Sequence, residues 1–299
     1  MSKEKTKLSK CTLADMCFPV RLLTEKMNCN KEYSKFVVGL VDGSLKKLNQ
    51  MSDVYSLVAC KEIFPEIEKI FNEFNMKFNV EYSELNNVKF YGDYILEDSS
   101  LNYVMKGTND VIRPILRINH SYNGTSRYSF IFGYFRLVCS NGLVIPVEEM
   151  KEFNLSIRGK HTKDSIVTDL EKLKSTLEYF VRNYKTINNA ITEKYEILGK
   201  RTITDAPERI EQILEACSIN AITTSKFNTV NYVMAKISEE ANSTSLGYGG
   251  RITDWLIYNA INQYLNDSDR NIMSPVVRAE KDKKVFEYML KNAPIAVAI

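Results

Sequence analysis

From Ile166 to Leu198 the apolar residues recur at intervals of three and four: Ile166, Leu170, Leu173, Leu177, Phe180, Tyr184, Ile187, Ile191, Tyr195 and Leu198. That spacing holds one stripe on one side of an α-helix. It predicts a single long helix with Asp164 as its N-cap. The stripe has two uses. It packs along the chain's own sheet and later helices, the reading favoured here, or it forms the seam of a homo-oligomer through the 165–198 helix. Shorter helical patterns follow at Pro207–Ile219, Lys226–Glu240, Thr253–Leu265 and Lys281–Leu290. Near the other end, Leu45, Leu48, Met51, Tyr55 and Val58 predict a helix after Ser44. Ile67, Ile70, Phe71 and Phe74 predict a second, entered through Pro65. Gly39, Asp42 and Gly43 mark a turn ahead of the first.

Between these helical regions the period changes to two. Lys89–Leu96, Val111–Ile118, Arg127–Cys139 and Leu143–Pro146 read as strands. Asn123-Gly124 is a two-residue hairpin signal, because both central positions of a type I′ turn need positive φ. Ser140-Asn141-Gly142 is a second turn signal. Along Arg127–Cys139, Tyr128, Phe130, Phe132, Tyr134 and Arg136 alternate with Ser129, Ile131, Gly133, Phe135 and Leu137, so the strand is expected to be covered on both faces. The expected fold class is α+β: an antiparallel β-meander packed against a long helix, followed by a helical C-terminal half. Three segments (1–80, 81–200 and 201–299) are expected to form one compact unit.

Composition narrows the class. In 299 residues, 44% hydrophobic and 26% charged, the chain has core enough for a globular protein. No run of about 18 apolar residues suggests a membrane span, and the lysine-rich start is followed by no apolar signal region. Six scattered cysteines fit a reducing cytoplasm better than a disulfide framework, and the spacing of the first three matches no standard zinc pattern. The net charge of +3 is unevenly spread. Residues 1–50 carry ten basic and five acidic side chains, and residues 51–100 carry four and ten. From Val111 to Val147 there are four arginines and no acid.

That acid-free interval is the main candidate for chemistry. Arg113 and Arg117 share one face of their strand, and with Arg127 and Arg136 they suggest a basic, aromatic surface for single-stranded nucleic acid. The segment with Lys151, Arg158, Lys160, His161 and Lys163 reads as a basic loop beside it. In this reading Arg113, Arg117, Arg127, Arg136, Arg158, Lys160, Lys163 and His161 contact phosphate, while Tyr122 and Tyr128 stack on bases. The competing reading makes the aromatics core and lets the arginines reach its rim. With only two histidines, His120 and His161, and no acid cluster beside either, no catalytic residue, metal or cofactor is assigned. Gly247-Tyr-Gly-Gly250 precedes a helix but lacks the ending of a nucleotide-binding loop, and Thr253 is expected to cap that helix.

The strings Ser-Tyr-Asn-Gly-Thr-Ser-Arg-Tyr-Ser-Phe (121–130) and Phe135-Arg-Leu-Val-Cys-Ser-Asn-Gly-Leu143 resemble the signature of domain-of-unknown-function family 932, a group of phage-, plasmid- and prophage-encoded proteins. His161-Thr162 and the Thr253–Tyr264 block look like that family's later segments. The resemblance covers roughly residues 110–270. It implies a mobile-element origin, a cytoplasmic location and no assigned catalytic residues. A meander followed by a long helix is also similar to the core of phage single-strand annealing proteins, by analogy of fold alone. The sequence is therefore read as a phage or plasmid DNA-metabolism protein that binds single-stranded nucleic acid and assists annealing or recombination. The alternative is a non-enzymatic interaction protein that binds a host or phage protein.

Overall fold

Asp42 and Gly43 both adopt left-handed backbone, at φ 52° and 73°, and close a two-residue turn. In this computed structural model the turn joins strand β3 (Tyr33–Val41) to β4 (Ser44–Met51), and β2 (Val20–Lys26) pairs with the other edge of β3. The predicted helix from Leu45 to Val58 is therefore corrected: its first half is a strand. The three-residue spacing of Leu45, Leu48 and Met51 mimics a helix because of a bulge. The register shifts between Val37 and Val38, leaving Leu48 as an extra residue in β4. Gly39 lets Phe18 lie flat on this sheet, since a Cβ there would sit 2.5 Å from the Phe18 ring.

The structure describes residues 9–26, 33–51, 55–123, 128–136, 141–143, 156–159, 163–219, 226–266 and 275–293. They divide into two compact units that interleave in sequence. One takes 1–98, 115–132 and 150–182, and the other takes 99–114, 133–149 and 183–299.

In the first unit a second sheet runs in the order β1 (Ser9–Cys11), β5 (Phe78–Leu85), β6 (Lys89–Leu96), β8 (Val111–Ser121) and β9 (Tyr128–Arg136), with β11 (Ser156–Gly159) on the far edge of β9. The predicted strands at 89–96 and 111–118 are present, the latter extended to Ser121. The Asn123-Gly124 turn falls partly outside the described residues, with Gly124. After a short helix α1 (Leu13–Met16), helix α2 (Cys60–Glu73) begins five residues before Pro65, which lies inside it rather than at its entry. Two of its leading N–H groups are satisfied nearby: Ala59 N–H by the Glu62 carboxylate at 2.7 Å, and Cys60 N–H by the Tyr122 hydroxyl at 2.8 Å. Phe64, Phe71 and Ile67 of α2 are buried, with Phe64 edge-on to Tyr82 and Phe71 against Tyr94. Tyr128, Phe130 and Phe132 are likewise buried, and Phe132 stacks on Phe180 of helix α3 (Lys163–Lys200). Tyr128, Phe130, Phe132 and Tyr134 of β9 are core.

The second unit contains β7 (Tyr103–Val104) paired with the start of β8, and β10 (Asn141–Leu143) paired with the end of β9. Asn141 and Gly142 are ladder residues opposite Arg136 and Phe135 rather than part of the turn expected at Ser140–Gly142, and Ser140 lies outside the described residues. Phe132 and Gly133 fall between the stretch of β9 paired with β11 and the stretch paired with β10. Helices α4 (Ala206–Ala216), α5 (Lys226–Ala241), α6 (Asp254–Asn266) and α7 (Pro275–Lys291) match the four short predicted helices, with α7 starting six residues early. α6 is buried from Asp254 through Asn262, as expected for a helix enclosed by others. Thr253 caps it by accepting Leu256 N–H at 3.3 Å.

The long helix is present over 38 residues, and Asp164 sits in its first turn rather than at the cap. Its stripe is turned inward: Ile166, Leu173, Leu177, Phe180, Ile187, Tyr195 and Leu198 are buried within the chain. No helix of the described residues is long and apolar enough to cross a membrane.

Candidate nucleic-acid interface

Arg136 was expected to face phosphate. It is instead fully buried in the second unit. Its Nε donates to Asp110 Oδ1 and Oδ2 at 2.8 Å, its Nη2 lies 2.7 Å from Asp110 Oδ2, and its Nη1 donates to Glu240 Oε2 at 2.7 Å. Asp110 also accepts from the Tyr248 hydroxyl at 2.8 Å and Trp255 Nε1 at 2.9 Å. A buried guanidinium holds its charge only when paired and hydrogen-bonded in this way. Burial pushes the Glu240 carboxyl above its usual range; Arg136 pulls it back, and the neighbouring Asp110 charge adds to the rise. The glycine segment 247–250 serves this network too, because its three positive-φ glycines flank the buried Tyr248.

Three other expected contacts are also occupied. Arg117 forms a bidentate pair with Asp93, Nε to Oδ1 and Nη2 to Oδ2, both at 2.7 Å. Tyr122 is buried under Phe18, Phe90 and His120, and its hydroxyl holds the start of α2. Tyr128 is buried with its hydroxyl donating to Asp169 at 2.7 Å. The two tyrosines expected to stack on bases thus have their rings covered by the core, and a correction is needed there. Arg113, in the second unit, is half-buried; its Nε has no hydrogen-bond partner and no acid pairs with it among the described residues. Arg127, Lys160 and His161 lie outside the described residues. The expected basic loop is in part a strand: Arg158 is placed in β11 opposite Ser129, and Lys163 opens α3.

The structure brings together a different set of residues on the second face of the first unit's sheet. Tyr91 of β6 lies opposite Asn119 of β8, Lys89 opposite Ser121, and Asp93 opposite Arg117. Asn119 Nδ2 donates to Ser129 Oγ of β9 at 2.8 Å, and Ser129 is opposite Arg158 of β11. Asn119, Ser121 and Ser129 are buried polar residues on central strands. The Oδ1 of Asn119 has no hydrogen-bond partner among the described residues. None of these except Arg117 and Arg158 stood out in the sequence. The signal was available: Asn119, Ser121 and Ser129 put polar groups where a strand covered on both faces would carry apolar ones.

The described cysteines, Cys11, Cys17, Cys60 and Cys217, are free, and burial pushes the thiols of Cys11 and Cys217 up to about 11. Among the described residues no three His, Cys, Asp or Glu side chains are grouped to hold a metal ion.

A family model described as a domain of unknown function, DUF932, matches residues 47–289. No curated protein and no solved structure matches the chain. The matched span takes in both compact units, from β4 to the last turns of α7, and on that extent the chain belongs to the DUF932 family.

Proposed function

We propose that this chain binds single-stranded nucleic acid and works in the DNA metabolism of a phage or plasmid, assisting annealing or recombination. The observation that supports the binding role is the half-buried Lys89–Tyr91 edge of the first unit's sheet. Tyr91 offers a ring for stacking and Lys89 a cation for the backbone, with Arg158 of β11 the phosphate contact expected from the sequence. Asp93, the acid on that stretch of β6, is already engaged by Arg117. The phage or plasmid setting rests on the sequence resemblance alone.

The test is fluorescence anisotropy of the full chain with a labelled single-stranded oligonucleotide. Binding is expected at low salt, falling steeply as salt rises. A Lys89→Gln, Arg158→Gln chain should bind more weakly with an unchanged melting temperature. Absence of binding at low salt would overturn the reading.

A further inference from the structure

Cross-strand register orders the second face of the first unit's sheet into rows. Glu81, Asp93 and Arg117 make one row, Lys10, Ser83, Tyr91 and Asn119 the next, and Leu85, Lys89 and Ser121 a third. The cations of these rows are held differently. Lys89 pairs with no acid among the described residues. Lys10 lies 3.7 Å from Glu81, with both side chains more than half exposed. Arg117 is gripped at two points: Nε and Nη2 donate to the two carboxylate oxygens of Asp93, both at 2.7 Å.

That grip lies at the water boundary. The Arg117 and Asp93 side chains keep 14% and 27% of their surface. An ion pair in contact with solvent has little net stability, because water competes for both partners. The guanidinium edge that takes a carboxylate through two parallel bonds takes a phosphate in the same way. Asp93 therefore holds Arg117 in a geometry that suits a phosphate and cancels the charge that would draw one. Tyr91, the proposed stacking ring, is one row away on the same face.

We infer that Asp93 is a built-in competitor for nucleic-acid phosphate: its carboxylate occupies the Nε–Nη2 edge of Arg117, and a phosphate of the bound strand takes that edge by displacing it. The inference rests on the nucleic-acid reading above and adds a control of affinity at the same face. In the wild-type chain the carboxylate set free restores the charge balance, so the exchange adds nothing to the salt dependence. Once the carboxylate is gone, Arg117 becomes a full phosphate contact. The slope of log affinity against log salt then steepens by about 0.7 for a single strand.

The experiment measures anisotropy of labelled oligothymidylate with the full chain across a salt series. Asp93→Asn should bind more tightly than wild type at low salt, with a slope steeper by about 0.7. Adding Arg117→Gln to it should return the slope to the wild-type value. Glu81→Gln removes an acid from the same row that pairs with Lys10 instead, and should leave the slope unchanged. Asp93→Ser should repeat the gain and serves as the test if Asp93→Asn melts early. A wild-type slope in the Asp93 variants, a gain that survives the loss of Arg117, or an equal gain in Glu81→Gln overturns the competitor role and leaves the Lys89–Tyr91 reading in place. No binding by the wild-type chain at low salt overturns that reading and this inference with it.

Discussion

Replacing Arg136 by Met separates a structural role from a phosphate contact. The side chain is fully buried, and its loss leaves the carboxylates of Asp110 and Glu240 without their cation. Asp110 keeps two donors, Tyr248 and Trp255, and Glu240 loses the Nη1 donor at 2.7 Å. Removing one partner from a buried ion pair costs about 3–5 kcal/mol, because the remaining charge stays desolvated. That is a large part of the roughly 5–15 kcal/mol that holds a domain folded. It shifts the folded-to-unfolded ratio by about two to three and a half orders of magnitude. Trp255 is the only tryptophan of the chain and donates directly to Asp110, so its fluorescence during urea unfolding reports on this network. Adding Asp110→Asn and Glu240→Gln to Arg136→Met should recover part of the loss, a non-additivity that marks one coupled network. A loss below about 1 kcal/mol for Arg136→Met alone would refute the account. So would a chain that keeps its stability and loses oligonucleotide binding.

Two further tests address other parts of the fold. Glu240 has a folded pKa above its unfolded value, so the folded state holds the proton more tightly; relative to Glu240→Gln, wild-type stability should fall as pH rises through the window just above the usual carboxylate range and then level off. Urea midpoints across that range check it, and a difference that instead grows with pH would reverse the sign. In the three-stranded sheet, Gly43→Val must place a β-branched residue at φ 73° and should cost about 1–2 kcal/mol, while Gly39→Ala drives a Cβ into the Phe18 ring and should cost about 1–3 kcal/mol. Thermal melting by circular dichroism measures both, and wild-type melting in Gly43→Val would contradict the turn assignment.

Local pattern carried a good deal of this protein. The stripe from Ile166 to Leu198 specified α3, because a three-four spacing has one low-energy way to bury itself. Alternation specified β6, β8 and β9, whose Phe130, Phe132 and Tyr134 are core; Tyr128, read as a base-stacking ring, is core as well. Asp42-Gly43 marked a turn, yet the Leu45–Leu48–Met51 spacing pointed to a helix after it, and the bulge that produced this spacing exists only through pairing with β3.

The arginines show where local pattern stops. The interval without acids begins immediately after Asp110, the acid that binds Arg136 from 26 positions away. Glu240 comes from 104 positions away, and Asp93 reaches Arg117 from 24. Charge density along a chain is a one-dimensional average, whereas ion pairs form between strands and helices that folding brings within about 3 Å. The sequence by itself therefore determined the long helix, the four C-terminal helices, strands β6, β8 and β9 and most of the buried aromatics of β9. Only the tertiary structure decided which cations are bound inside and which remain on the surface, because desolvation forces each buried charge to find its partner wherever the fold supplies one.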